Sequence, residues 1–247
     1  MHPPGCDYLS FILFPGSGLP EPAIALLGEN YNGTGNGIDK WTDPNSGYEC
    51  TTGSTRVYDW VERSFHFDYS QDSLITCPYD LSPSKHSDLT IEVVFKLDDD
   101  YDPQSTVAWI VGHDDWGYDR SLILSDDRFG GVGSGIGSAY ESGISSPSVG
   151  VWHHGLATFR EGVTEGSFVA IDGVIGKKVT AHNSDGNSAF TIGGLSAHAN
   201  HGIKGLVRSV RIYESSFNEV TAKLAYSLWL EGKLVSNPCP LLSLFIL

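Results

Sequence analysis

An all-β sandwich closed by one C-terminal helix is the fold class this sequence predicts, and three observations carry it. From about Ala23 the chain runs as short alternating segments separated by clusters of Gly, Asn, Asp and Ser, which is the turn rhythm of a sandwich. The segment LTIEVVFKL (Leu89 to Leu97) has a clear period of two. Ile91, Val93, Phe95 and Leu97 point one way; Thr90, Glu92, Val94 and Lys96 point the other. Near the end, SSFNEVTAKLAYSLWLEGK has helical spacing instead.

In chain order, residues 1–22 are rich in Pro and Gly and are expected to be peripheral. Residues 23–235 read as one domain without repeats or linkers, followed by a tail over 236–247. After the Leu89 to Leu97 strand, STVAWIVG and RSLILS are the next strands, then VWHHGLATFRE (Val151 to Glu161) and GSFVAID. In FVAIDGVIGKKVT two apolar runs meet at Asp172-Gly173, a pair suited to the positive φ values of a type I′ turn, so a hairpin is expected. SAFTIGG and GLVRSVRIYE supply the last strong strands. In the helix, Ser216 is the expected cap and Glu219 completes a capping box. Phe217, Val220, Leu224 and Leu228 form the packing stripe, and Gly232 is the stop.

Composition narrows the function classes. The 247 residues are 40% hydrophobic, enough for a substantial core, and no stretch approaches the roughly 18 continuous apolar residues of a membrane span. Thirty acidic against fifteen basic residues give a net charge of -15, which repels phosphate backbones and argues against nucleic-acid partners. Divalent cations and neutral ligands are tolerated by such a surface. Four cysteines (Cys6, Cys50, Cys77, Cys239) allow three fully paired connectivities. Cys50 with Cys77 is the expected pair, bracketing the run before the strong strand, and Cys6 with Cys239 would join the chain ends. A sequon, NGT at Asn32 to Thr34, and a short apolar N-terminal run, YLSFILF, fit a secreted or extracellular protein, although no Lys or Arg precedes that run as a signal peptide would have.

The segments RSFHFDYSQDSLIT, DLTIEVVFKL, GYDRSLIL, GVWHHGLATF, VAIDG, FTIGG and IKGLVRSVRIYESSFNEVTAKL occur in this order over roughly residues 57–230. Their order resembles the laminin-G-like branch of the concanavalin A-like lectin/glucanase superfamily. The resemblance implies a jelly roll of two antiparallel sheets with a short helix after the penultimate strand. It leaves function open among glycan-binding lectins, adhesion modules, glycoside hydrolases and polysaccharide lyases, so the site must decide.

A retaining endoglucanase of that superfamily carries E-x-D-x-x-E or E-x-D-x-E along one strand, with the two catalytic carboxyls about 5–5.5 Å apart. Neither pattern occurs here: Glu92 lies on a strand, but position 94 is Val. His153 and His154 follow Trp152 on a strong strand, one expected toward the core and one toward solvent. They read as packing and hydrogen-bonding positions, with a lyase base, together with Tyr140 or His198, as the alternative. SAHANHG (Ser196 to Gly202) offers His198 and His201 to a metal without a third ligand, so a polar loop is preferred.

The densest chemistry is GHDDWGYDR (Gly112 to Arg120). By analogy with relatives that have a GYDR-like stretch, Asp119 and Arg120 would form a local ion pair or cap the next strand. Asp114, Asp115 and Trp116 fall on the connecting loop, where an indole beside carboxylates suits stacking on a sugar ring. The candidate ligand set is Asp114, Asp115, Trp116, Tyr118 and Tyr140. Asp114 and Asp115 are the candidate calcium ligands, because hard cations need several oxygens. LDDDYD (Leu97 to Asp102) is a second acidic cluster, whose convergence with the first would strengthen the calcium reading. The glycine-rich FGGVGSGIGSAY lacks a P-loop Lys and reads as sheet with close backbone approach. The expectation is a non-catalytic binding or adhesion module for glycans. A protein-interaction module is the alternative, and a hydrolase or lyase acting on polysaccharide comes third.

Overall fold

The computed structural model describes residues 18–232 except 36, 55–56, 70–72, 103–106, 114–118, 126–127, 131–141 and 196–200. The strands are β1 (Ile24–Leu27), β2 (Lys40–Thr42), β3 (Glu49–Thr52), β4 (Val57–Asp59), β5 (Ser64–Asp68), β6 (Ile75–Cys77), β7 (Asp88–Leu97) and β8 (Ala108–Gly112). They continue as β9 (Leu122–Ser125), β10 (Arg128–Gly130), β11 (Ile144–Ser145), β12 (Trp152–Arg160), β13 (Phe168–Ile171), β14 (Val174–Ile175), β15 (Phe190–Ile192) and β16 (Lys204–Tyr213). One α-helix, α1 (Glu219–Leu230), follows among the described residues.

Two antiparallel sheets form the expected sandwich. One runs β14-β13-β12-β7-β16-β5-β4 with β1 also on β16; the other runs β11-β10-β9-β8-β15-β6-β3-β2. Ile91, Val93, Phe95 and Leu97 face the space between the sheets and pack with Ile110, Leu124, Phe190 and Ile192 of the second sheet. Each sheet thereby buries one alternating face, the basic economy of a sandwich. Cys50 and Cys77 form the expected disulfide, across the neighbouring strands β3 and β6. Cys6 and Cys239 lie outside the described residues. The turn at Asp172-Gly173 has φ values of 49° and 76°, as a type I′ hairpin requires.

The outward face of β7 departs from the sequence reading. Thr90, Glu92 and Val94 are buried as completely as their inward neighbours. The cause is α1, which lies over this face and makes a second apolar cluster from Leu156, Phe168, Tyr213, Phe217, Ala222 and Ala225. Asn218, not Ser216, caps the helix, its side chain accepting from the Thr221 N–H at 2.9 Å. Phe217 N–H donates to the hydroxyls of Thr158 (2.9 Å) and Thr90 (3.1 Å), pinning Phe217 before the helix starts. The packing face therefore rotates from the expected stripe: Val220 is 77% exposed, while Ala222 and Ala225 meet the sheet. Gly232, at φ 66°, follows the helix end as expected.

No helix among the described residues is long and apolar enough to cross a membrane.

Candidate functional site

The corner at Gly112 to Arg120 is built from its ends inward. Asp114, Asp115, Trp116 and Tyr118 lie outside the described residues, as do Tyr140 and His198. His113 is fully buried at the end of β8, where its Nε2 accepts from the Leu81 N–H at 3.1 Å and its backbone N–H donates to Ser121 Oγ at 3.2 Å. Burial pushes its pKa down, only partly offset by the Asp80 carboxylate 3.3 Å away.

On the other flank, Asp119 accepts from the Ser184 hydroxyl. Arg120 is wholly buried and donates to the carbonyls of Leu81 (3.1 Å), His86 and Ser87 (3.2 Å), with Glu161 at 3.5 Å. Its guanidinium also lies over the Phe159 ring. Arg120 thus ties the start of β9 to the segment that leads into β7, and Asp119 ties it to residue 184. The structural role expected of these two side chains is joined, among the described residues, by long-range contacts to Ser184 and to the carbonyls at 81–87. A buried Arg suits this because its planar fork satisfies several carbonyls at once.

Two carboxylates of the second acidic cluster, at the other end of β7, have side-chain partners. Asp98 accepts from His66 at 2.8 Å, and Asp100 pairs with Lys204. The ten residues of β7, about 30 Å of strand, separate this cluster from Ser87, which Arg120 contacts; Asp114 and Asp115 lie outside the described residues. Among the described residues, no group of three or more His, Cys, Asp or Glu could hold a metal ion.

The two adjacent histidines are both buried, contrary to the solvent-side expectation for one of them. His153 has the neighbours of a nucleophilic triad: its Nδ1 meets Asp172 Oδ2 at 2.6 Å, and its Nε2 lies 3.3 Å from Ser148 Oγ. The geometry is wrong for a base. Nε2 is closer to the Ser148 carbonyl oxygen, at 2.8 Å, so both ring nitrogens face acceptors. That arrangement favours the imidazolium: burial alone would depress the pKa, but Asp172 and the Ser148 carbonyl outweigh it and raise it. With each ring nitrogen facing Asp172 or the Ser148 carbonyl, neither points a lone pair at the Ser148 hydroxyl.

His154 turns to the opposite face, under α1. Its Nε2 donates to Glu92 Oε1 at 2.6 Å, while Tyr213 donates to Glu92 Oε2 at 2.7 Å and Arg211 approaches the same oxygen at 3.5 Å. Burial of Glu92 would raise its pKa, yet Arg211, His154 and Tyr213 together bring it down to about 2. Trp229 stacks on the other side of this group, 5.9 Å from the His154 ring. Beside it opens a pocket of about 160 Å³ bordered by Glu29, Arg208, Arg211 and Trp229. This network and pocket were not foreseen. Glu92 and the histidines had been singled out, but their partners come from β16 and α1, far along the chain.

No protein-family model and no curated protein matches the chain. Solved structures do share its fold. The receptor-binding domain of botulinum neurotoxin type G superposes with a TM-score of 0.63 at 12% identity, over 85% of this chain and 52% of that one. The ligand-binding domain of botulinum neurotoxin serotype D, solved in complex with N-acetylneuraminic acid, gives 0.61 at 10% identity over 83% of this chain and 50% of that one. A Trypanosoma rangeli sialidase complex gives 0.59 at 13% identity, over 83% of this chain and 32% of the other. The chain therefore spans about half the length of the neurotoxin domains and a third of the sialidase. These likenesses establish the β-sandwich and nothing finer.

Proposed function

We propose that this chain is a non-catalytic, laminin-G-like binding or adhesion module that recognises glycans outside the cell. The observation that carries this reading is the frame around residues 114–118. His113, Asp119 and Arg120 are buried and hydrogen-bonded, so the chain is anchored on both flanks of Asp114, Asp115, Trp116 and Tyr118. On that reading Trp116 stacks on a sugar ring, Tyr118 and Tyr140 extend the contact, and Asp114 and Asp115 accept from hydroxyls or hold calcium. A similar structure described as a complex with N-acetylneuraminic acid supports the ligand class. The Cys50–Cys77 disulfide supports an oxidising, extracellular setting.

A specific observation favours a protein partner as the second reading. Trp60 and Val61 are 57% and 92% exposed at the β4–β5 turn, with exposed Val57 beside them and Ile38 on a loop that packs against Trp60 through Gly35. Glycan-array binding with and without calcium separates the two. Asp115→Ala and Trp116→Ala are expected to weaken array binding about tenfold or more without changing the melting temperature. Unchanged binding in both variants would remove the loop from the site. Release of reducing ends from bound polysaccharides at an enzymatic rate would replace the binding module with a hydrolase.

A further inference from the structure

The pocket beneath the C-terminal end of α1 is lined by apolar surface with a few polar side chains set in it. Arg208 and Arg211 of β16, Ser209 between them, Glu29 after β1, Val94 of β7 and Trp229 of α1 border it. Its volume of about 160 Å³ matches that of a cavity known to take one six-membered ring, on the order of 150 Å³.

The two arginines in it already face carboxylates. Arg208 sends Nε to the Glu62 carbonyl and a terminal nitrogen to the Glu62 carboxylate, both at 3.2 Å, while its guanidinium covers the Trp152 ring at 3.9 Å. Arg211 faces Glu92, and Glu29 adds a further carboxylate to the rim. An anionic ligand would have to compete with Glu62 and Glu92 for the guanidiniums and would meet Glu29, so net charge gives it no advantage. The lining does offer direction: the remaining N–H donors of Arg208, a carboxylate acceptor, a hydroxyl, and the apolar surface of an indole. Donors and acceptors beside an apolar indole wall complement a neutral pyranose ring.

The geometry points to a second sugar subsite here, taking a single uncharged sugar residue on the outer face of the sheet that contains β7 and β16. It rests on the glycan-binding reading and extends it to a surface on the opposite side of that sheet from the sandwich core. Arg208 and Glu29 are the hydrogen-bonding residues, and Trp229 is the apolar wall. Arg211 holds the pocket floor through Glu92, so it is a positioning residue and an unsuitable first target.

The test is an NMR titration of the full chain with methyl glycosides of glucose, galactose and N-acetylglucosamine, with N-acetylneuraminic acid as the acidic arm. A neutral glycoside is expected to shift the Trp229 indole and the Ser209 amide with millimolar affinity. Trp229→Ala should weaken that affinity at least about tenfold, and Trp229→Phe, which keeps an aromatic wall and guards against a folding artefact, should recover most of it. Glu29→Gln, which keeps an acceptor and changes only charge, should leave neutral binding within about threefold. Silence of these resonances with all neutral glycosides, or a preference for N-acetylneuraminic acid, overturns the proposal. Glycan-array binding keeps the two readings apart: if it persists in Trp229→Ala and falls in Trp116→Ala, the loop reading stands whatever the pocket does.

Discussion

The corner around Arg120 and the layer around Glu92 both bury a charge completely, and they do so in opposite ways. Arg120 is surrounded mainly by backbone carbonyls, those of Leu81, His86 and Ser87, so its charge is dispersed over neutral dipoles from a single segment. Glu92 is surrounded by side chains, His154, Tyr213 and Arg211, from two flanking strands. The first arrangement fixes a loop to the frame; the second fixes a helix-covered face to itself. Removing a charge from carbonyls leaves several dipoles unsatisfied, whereas removing it from an ionic network strands a partner charge inside the protein.

That difference predicts its largest effect at Glu92. Glu92→Ala leaves Arg211 and His154 without their carboxylate and should cost about 4 kcal/mol in chemical denaturation. Glycan-array binding that depends on Trp116 should survive below the melting temperature, whereas the pocket whose floor Glu92 holds through Arg211 should lose its glycoside binding. A loss well under 1 kcal/mol would mean that the layer is a bystander to stability.

Arg120→Ala should cost somewhat less, about 3 kcal/mol, because water can reach some of the released carbonyls. It should also reduce array binding by freeing one end of residues 114–118. Equal binding in the Arg120 and Glu92 variants would erase the functional contrast between the two regions.

Acid sharpens the comparison. The folded pKa of Glu92, about 2, lies below its ordinary value of 4.5, so its contribution is present above pH 4.5 and is lost as pH falls toward 2. The loss is at most about 3 kcal/mol and should be absent in Glu92→Gln, as denaturation midpoints across that range will read. The corner has no acidic term of this size from Arg120, which stays protonated throughout.

The smallest effect distinguishes two buried histidines. His113, with its pKa lowered by burial, favours the fold less as pH falls below 6.5, because the unfolded chain takes up the proton first. His153, raised by Asp172 and the Ser148 carbonyl despite burial, contributes fully below 6.5 and loses its share as pH climbs past its folded pKa. NMR titration should place the His113 midpoint below 6.5 and that of His153 above it. Coincident midpoints would show that the two environments do not differ.

Much of the fold was legible because strand signals are local. The alternation in Leu89 to Leu97 and the Asp172-Gly173 turn each need only neighbouring residues, and both stand where expected. The helix was legible in extent but not in orientation, since Phe217 is pinned by Thr90 and Thr158, more than fifty residues away. The corner was partly legible: its polar density marked it, while the partners of Arg120 at positions 81 to 87 left no trace in its own nine residues.

By itself, then, the sequence determined a sandwich of short strands, a hairpin and a helix, because period and turn chemistry act over short stretches of chain. Among three cysteine connectivities it marked Cys50 with Cys77 as the expected pair, which the structure forms. Only the tertiary structure decided that the outer face of β7 is an interior, that His153 is locked between two acceptors, and that Arg208 and Trp229 border one pocket. Those outcomes depend on which strands become neighbours and on where the helix comes to rest. Pairing between β7 and β16 joins residues more than a hundred positions apart, and no local pattern encodes which side chains then share a dry face.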